Sequence, residues 1–95
     1  MYYILARITV KPEAAQTAQG LLTELVLQSR KEAGCIAYEL YQQEATPHIF
    51  QTVETWRDKA AADAHMVTPH LGAAVAAATP LFAAAPEILS YTKVM

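Results

Sequence analysis

The chain predicts an α+β fold of element order β-α-β-β-α-β, and three observations carry that reading. Apolar and polar residues alternate over Tyr2–Val10 and Cys35–Glu44, the period of a strand with one buried face, and Ile49–Thr55 and Glu87–Val94 read as two further strands. Apolar residues recur at helical spacing from Glu13 to about Ala33. Two capped helix starts follow, at Asp58 and at Thr68-Pro69. That order is the ferredoxin-like arrangement, an antiparallel four-stranded sheet with the helices on one face. The 95 residues are read as a single domain, 1–95.

Each element has its own local reason. In the first strand Tyr2, Ile4, Ala6, Ile8 and Val10 share one side, against Tyr3, Leu5, Arg7 and Thr9. Pro12 suits a first helical position, where its missing N–H costs nothing, and Glu13 meets the positive end of the helix dipole. The first helix buries Ala14, Ala18, Leu21, Leu22, Leu25 and Val26. Gly20 is its weak point, by about 1 kcal/mol relative to Ala unless something packs on it. Gly34 reads as a left-handed residue ending the helix. The second strand alternates Ile36, Tyr38 and Leu40 against Ala37, Glu39 and Tyr41, and the turn Ala45–His48 joins it to the third in a hairpin. Asp58 caps a helix Lys59–Met66. A further helix runs from Pro69 to about Thr79, and Pro80 and Pro86 bracket the loop before the last strand.

Composition narrows the function classes. A formal net charge of −2 with scattered Lys and Arg offers no clustered cationic face for nucleic acid. The single Cys35 rules out an internal disulfide and fits a reducing cytoplasm. No basic-plus-apolar secretory leader is expected, and the Ala-rich run Gly72–Ala85, broken by Pro80, is too weakly apolar to span a membrane. With 54% hydrophobic residues in so short a chain, and one sheet face left bare by the topology, a homodimer is expected.

The chemistry-bearing residues concentrate between Phe50 and His70. Trp56, at the end of a strand, is either a packing aromatic or a wall that stacks on a planar substrate. His65, at a helix end, either bonds a terminal carbonyl or removes a proton, since imidazole titrates near neutrality. His70, in a first helical turn, is either an exposed polar residue or a base kept neutral by the dipole. A helix break separates the two histidines. Their spacing of five with Pro69 between them, and Cys35 on a different element, argue against a metal site. Glu54 is a paired carboxylate, with Lys93 or Arg7 as partners, or a catalytic acid. Arg7 pairs with Glu39 or Glu54, or holds an anionic substrate oxygen. Tyr38 packs or lines a pocket, Gln51 and Thr52 offer polar donors, and Cys35 reads as a small buried apolar residue.

Pro12, the run Ala33-Gly34-Cys35-Ile36-Ala37-Tyr38-Glu39-Leu40, Phe50, Glu54-Thr55-Trp56, Ala61, His65, Thr68-Pro69-His70 and Pro86-Glu87-Ile88 together resemble the antibiotic biosynthesis monooxygenase family, which includes the quinol monooxygenases. The resemblance covers nearly the whole chain in order. It implies a homodimer whose sheets pack as an α+β barrel, with a pocket between sheet and helices in each subunit. It also implies oxidation of quinol-like, polyphenolic or polyketide small molecules by dioxygen without flavin, haem or metal, the deprotonated substrate supplying the electron. The chain contains no Asn, whereas haem-degrading and anthrone-oxidising members use one, so haem breakdown is disfavoured, anthrone oxidation is weakened, and Gln51 and Thr52 are the polar donors available to stand in.

The resulting expectation is a cofactor-independent monooxygenase, with His65 or His70 as base and Trp56 as stacking wall. Arg7, Tyr38, Phe50, Thr52 and Glu54 are assigned to substrate binding. The rival readings are a non-catalytic dimer that binds a hydrophobic metabolite and an isomerase-like or decarboxylating enzyme.

Overall fold

A computed structural model describes residues 1–95. Strands β1 (Tyr2–Thr9), β2 (Cys35–Gln42), β3 (Ile49–Trp56) and β4 (Glu87–Tyr91) alternate in the expected order with helices α1 (Ala15–Ser29), α2 (Lys59–His65) and α3 (Pro69–Ala78). The strands form one antiparallel sheet in the order β2-β3-β1-β4. Alternation along β1 buries Ile4, Ala6 and Ile8 beneath the helices. Register then places β3: Ile4 faces Glu54, Ala6 faces Thr52 and Ile8 faces Phe50, so these three β3 residues also point inward and are buried. Two polar side chains thus lie in an otherwise apolar layer.

An irregularity in β2 between Cys35 and Ala37 sets the phase of the second strand. It lets Cys35 pair with Trp56 while Tyr38, three residues on, pairs with Glu54. Tyr38 is buried as expected, but Ile36, expected on the same face, is half exposed at the bulge. Tyr3, Leu5, Val53, Leu89 and Tyr91 occupy the opposite sheet face, which no element of the chain covers.

Helix α1 departs from expectation at both ends. Pro12–Ala14 forms a 3-10 turn, and α1 stops at Ser29 instead of continuing to about Ala33. Past Ser29 the chain makes tight turns, with Lys31 N–H donating to Gln28 O and Glu32 N–H to Ser29 O. Arg30 leaves the helix surface to donate to Tyr38 O and to Glu39, both at 2.9 Å. The early stop frees Glu32 to point toward α2 and α3 rather than along the helix.

Gly34 does not adopt a left-handed conformation, contrary to expectation, since no residue has positive φ. Its requirement is close approach: a Cβ at position 34 would overlap the Cβ of Ala61 on α2. Gly20 meets nothing within 4 Å. The other boundaries shift by a few residues. Strand β2 ends at Gln42, and β4 ends at Tyr91 short of Val94. No helix is long and apolar enough to cross a membrane.

Candidate functional site

Between the sheet and α3 lies a cavity of about 100 Å³. Ile4, Ala6, Leu22, Leu71, Ala74 and Ile88 supply much of its apolar wall. Its polar groups are Tyr38, Thr52, Glu54 and His65. Register delivers Thr52 and Glu54 from β3 and Tyr38 from β2, and the end of α2 delivers His65.

Two helix caps position His65. Asp58 accepts the Ala61 N–H at 2.8 Å and starts α2. At the other end Thr68 donates to the His65 carbonyl at 2.8 Å and accepts the Leu71 N–H at 3.4 Å, so one hydroxyl ends α2 and starts α3. With that carbonyl served by Thr68, the His65 ring does not serve as its own helix cap. Its Nδ1 lies 2.7 Å from Glu32 Oε2 instead, and His70 Nε2 lies 2.8 Å from the same oxygen. A carboxylate only accepts, so both rings donate to it and the neutral His65 ring carries its proton on Nδ1. Its Nε2 has no hydrogen-bond partner and is not sealed from solvent: Ser29 Oγ is the one fully buried side-chain polar atom without a partner.

Accessibility rises along this chain of groups. His65 has 3% of its side chain exposed, Glu32 15% and His70 24%. Trp56 lies behind His65, with ring centroids 4.6 Å apart and planes tilted by 34°. Its Nε1 donates to Glu54 Oε1 at 3.0 Å, and Thr52 Oγ1 donates to Glu54 Oε2 at 2.8 Å. Tyr38 stands edge-on to Trp56. Burial first, and then the negative charge of Glu54, pushes the Tyr38 phenol well above its ordinary range.

Four residues assigned from sequence therefore line the cavity, and four do not. Arg7 lies on the uncovered face of the sheet, 3.7 Å from Glu87, and pairs with neither Glu39 nor Glu54. It cannot reach a ligand on the helical side, because successive strand residues point to opposite faces. Phe50 packs with Leu22 and Leu25 in the core. Trp56 stacks on His65, not on the cavity. His70 stands outside the cavity and is linked to it only through Glu32 and then His65. Glu54 has its partners in Trp56 and Thr52 rather than Lys93 or Arg7. The Cys35 thiol is pushed up by burial, then by Glu32 and Glu54, which disfavours a thiolate nucleophile.

Sequence reading missed Glu32, placed in the last turn of the first helix by its expected length to about Ala33. It also left open whether the histidines converge, and they do. The ligand atoms of Glu32, His65 and His70 lie within 4.8 Å of one another, so this is the set that could hold a divalent ion, despite the unfavourable spacing of the histidines.

The antiparallel sheet with its helices on one face, and a cavity between them to which β2, β3 and α2 deliver polar groups, define a ferredoxin-like α+β protein. The model of the antibiotic biosynthesis monooxygenase family matches residues 1–77, and the chain belongs to that family. It is 34% identical over 88 residues to the uncharacterized protein sll1783 of Synechocystis, a match covering 93% of this chain and 60% of that protein's length. It is 32% identical over 89 residues to YcnE of Bacillus subtilis, a protein named only provisionally as a monooxygenase, with 94% of each chain covered. A solved structure described as an antibiotic biosynthesis monooxygenase superposes over the whole of both chains with a TM-score of 0.95 at 30% identity.

Proposed function

We propose that the protein is a cofactor-independent monooxygenase that oxidises a small quinol-like or phenolic molecule bound in the cavity, with His65 as the base. The observation that carries the reading is Glu32 holding His65 Nδ1 while Nε2 stays unpartnered on a residue of the cavity wall. Proton transfer from a substrate hydroxyl to Nε2 forms an imidazolium, and Glu32 stabilises that charge from behind. The phenolate left in the cavity is the electron-rich species that dioxygen attacks. For a hydroquinone the balance is substrate plus O2 giving hydroxyquinone plus water, all electrons coming from the substrate. Trp56 orients His65 and Glu54 from behind the cavity. A second copy of the chain covers the apolar sheet face around Leu5, Val53 and Leu89, making a homodimer, and the reducing cytoplasm is its setting.

Oxygen uptake by metal-free protein over a panel of hydroquinones tests the reading. Uptake above autoxidation is expected, falling by about 100-fold or more in His65→Ala, the scale of general base catalysis. Equal uptake by the variant rules out His65 as the base.

The Tyr38 phenol favours a second reading. Burial and Glu54 hold a phenol protonated in this environment, which suits a dimer that binds a hydrophobic metabolite without turnover. Ligand binding with no oxygen uptake selects that reading, and anaerobic turnover selects an isomerase-like or decarboxylating one.

A further inference from the structure

We propose that the cavity selects single-ring ligands that present a hydroxyl, amino or ammonium donor to Glu54, and that it rejects anions. The inference rests on the cavity being the ligand site, as read above, and is independent of oxygen chemistry. Glu54 is 4% exposed and lines the cavity. Each of its oxygens accepts one hydrogen bond, from Thr52 and from Trp56. A carboxylate has about four acceptor positions, so with the Tyr38 phenol also drawn to Glu54 at least one remains open.

A buried carboxylate is ordinarily matched by a cation. Glu54 forms no ion pair, and no Lys or Arg lines the cavity. The Arg nearest in sequence to the cavity strands, Arg7, is committed to Glu87 on the opposite face. Thr52 spends its hydroxyl proton on Glu54. A ligand that arrives as an anion therefore meets a carboxylate with no Lys or Arg to offset it, while a ligand N–H or O–H finds an acceptor; a phenolate formed in place is instead paired with the proton it leaves on His65. Tyr38 is an internal precedent, a ring hydroxyl held in its protonated form beside this carboxylate.

Volume sets the size class. A cavity of about 150 Å³ accommodates benzene. The cavity here, about 100 Å³ with an open side, suits one ring rather than three fused ones.

The test is an anaerobic amide-NMR titration of the full chain at pH 7 with phenol, benzylamine, toluene and benzoate, four single-ring compounds differing in donor and charge. Phenol and benzylammonium are expected to bind with Kd at least tenfold lower than toluene, shifting the Thr52, Glu54 and His65 amides, and benzoate to bind tenfold or more weakly than toluene. In Glu54→Gln the benzylammonium preference is expected to disappear while toluene affinity is kept. If that variant does not fold, the wild-type ranking decides alone. Benzoate matching phenol, toluene matching phenol, or no binding by any of the four overturns the proposal. No turnover is needed, so the monooxygenase reading can fail with this ranking intact, and the ranking can fail with oxygen uptake intact.

Discussion

Glu32 Oε2 lies 2.7 Å from His65 Nδ1, joining residues 33 positions apart. The contact exists because α1 ends at Ser29 and the following turns aim Glu32 at the junction of α2 and α3. His70 reaches the same oxygen from the first turn of α3. One carboxylate thereby sets the tautomers of two imidazoles and ties three segments together.

Replacing that carboxylate by an amide should loosen both histidines. Glu32→Gln keeps the shape but loses the charge-assisted character of two hydrogen bonds, each worth about 1.5–3 kcal/mol. A stability loss of about 2 kcal/mol is expected in urea denaturation. In Glu32→Leu, which leaves no acceptor there, nitrogen-15 NMR should show the neutral His65 ring leaving its Nδ1–H tautomer. Unchanged stability together with an unchanged tautomer would contradict the role given to Glu32.

Two glycines should respond in opposite directions. Gly34→Ala forces a methyl against Ala61 and is expected to destabilise by about 1–3 kcal/mol, the range for overpacking. Gly20→Ala puts a methyl into open space on α1 and should stabilise by about 1 kcal/mol. Thermal unfolding of the pair checks both signs, and a stabilised Gly34→Ala would disprove the close packing of α2 on that loop.

Acid should weaken the start of α2. The Ala61 N–H, and secondarily Arg57, hold the Asp58 carboxyl below its ordinary value of 3.8. A depressed carboxyl contributes stability above its unfolded value and loses it as pH falls through the lower folded value. In Asp58→Asn, which can still cap, this part of the acid-induced loss, which sets in as pH falls below about 4, should vanish. Stability-versus-pH curves of the two proteins that run parallel through that window would refute the assignment.

Tyr38 should ionise late. Burial and Glu54 raise its phenol above the ordinary value of 10.0, so the folded protein keeps the proton that the unfolded chain gives up near pH 10. Its contribution to stability is complete below about pH 10 and declines as pH rises beyond it. Ultraviolet titration should show a late tyrosinate step that coincides with unfolding and is missing in Tyr38→Phe. A Tyr38→Phe titration identical to wild type would place that phenol in water instead.

Much of the fold was legible locally. Alternation in Tyr2–Thr9 told which face of the first strand is buried, because side chains repeat every two residues. Asp58 and Thr68 marked two helix starts because each offers a side-chain oxygen to orphan backbone N–H groups, and both do so in the structure. Ile36 was misplaced because a bulge in β2 resets the alternation, which the period alone does not reveal. Gly34 was right as a position and wrong in its reason, since crowding by Ala61 depends on an element 27 residues away.

The candidate site divides along the same line. Local periodicity and capping are properties of neighbouring residues, so the order of elements and the placing of His65 at a helix end could be read from the chain alone, whereas the inward phase of Thr52, Glu54 and Trp56 came from pairing with β1. Packing in three dimensions set the rest: Arg7 faces away, Trp56 backs His65 rather than a ligand, Glu54 lacks a counter-cation, and Glu32 bridges His65 and His70. Those relationships depend on where α1 stops and on how α2 and α3 pack over the sheet. Such long-range contacts leave no periodic trace in the chain that makes them.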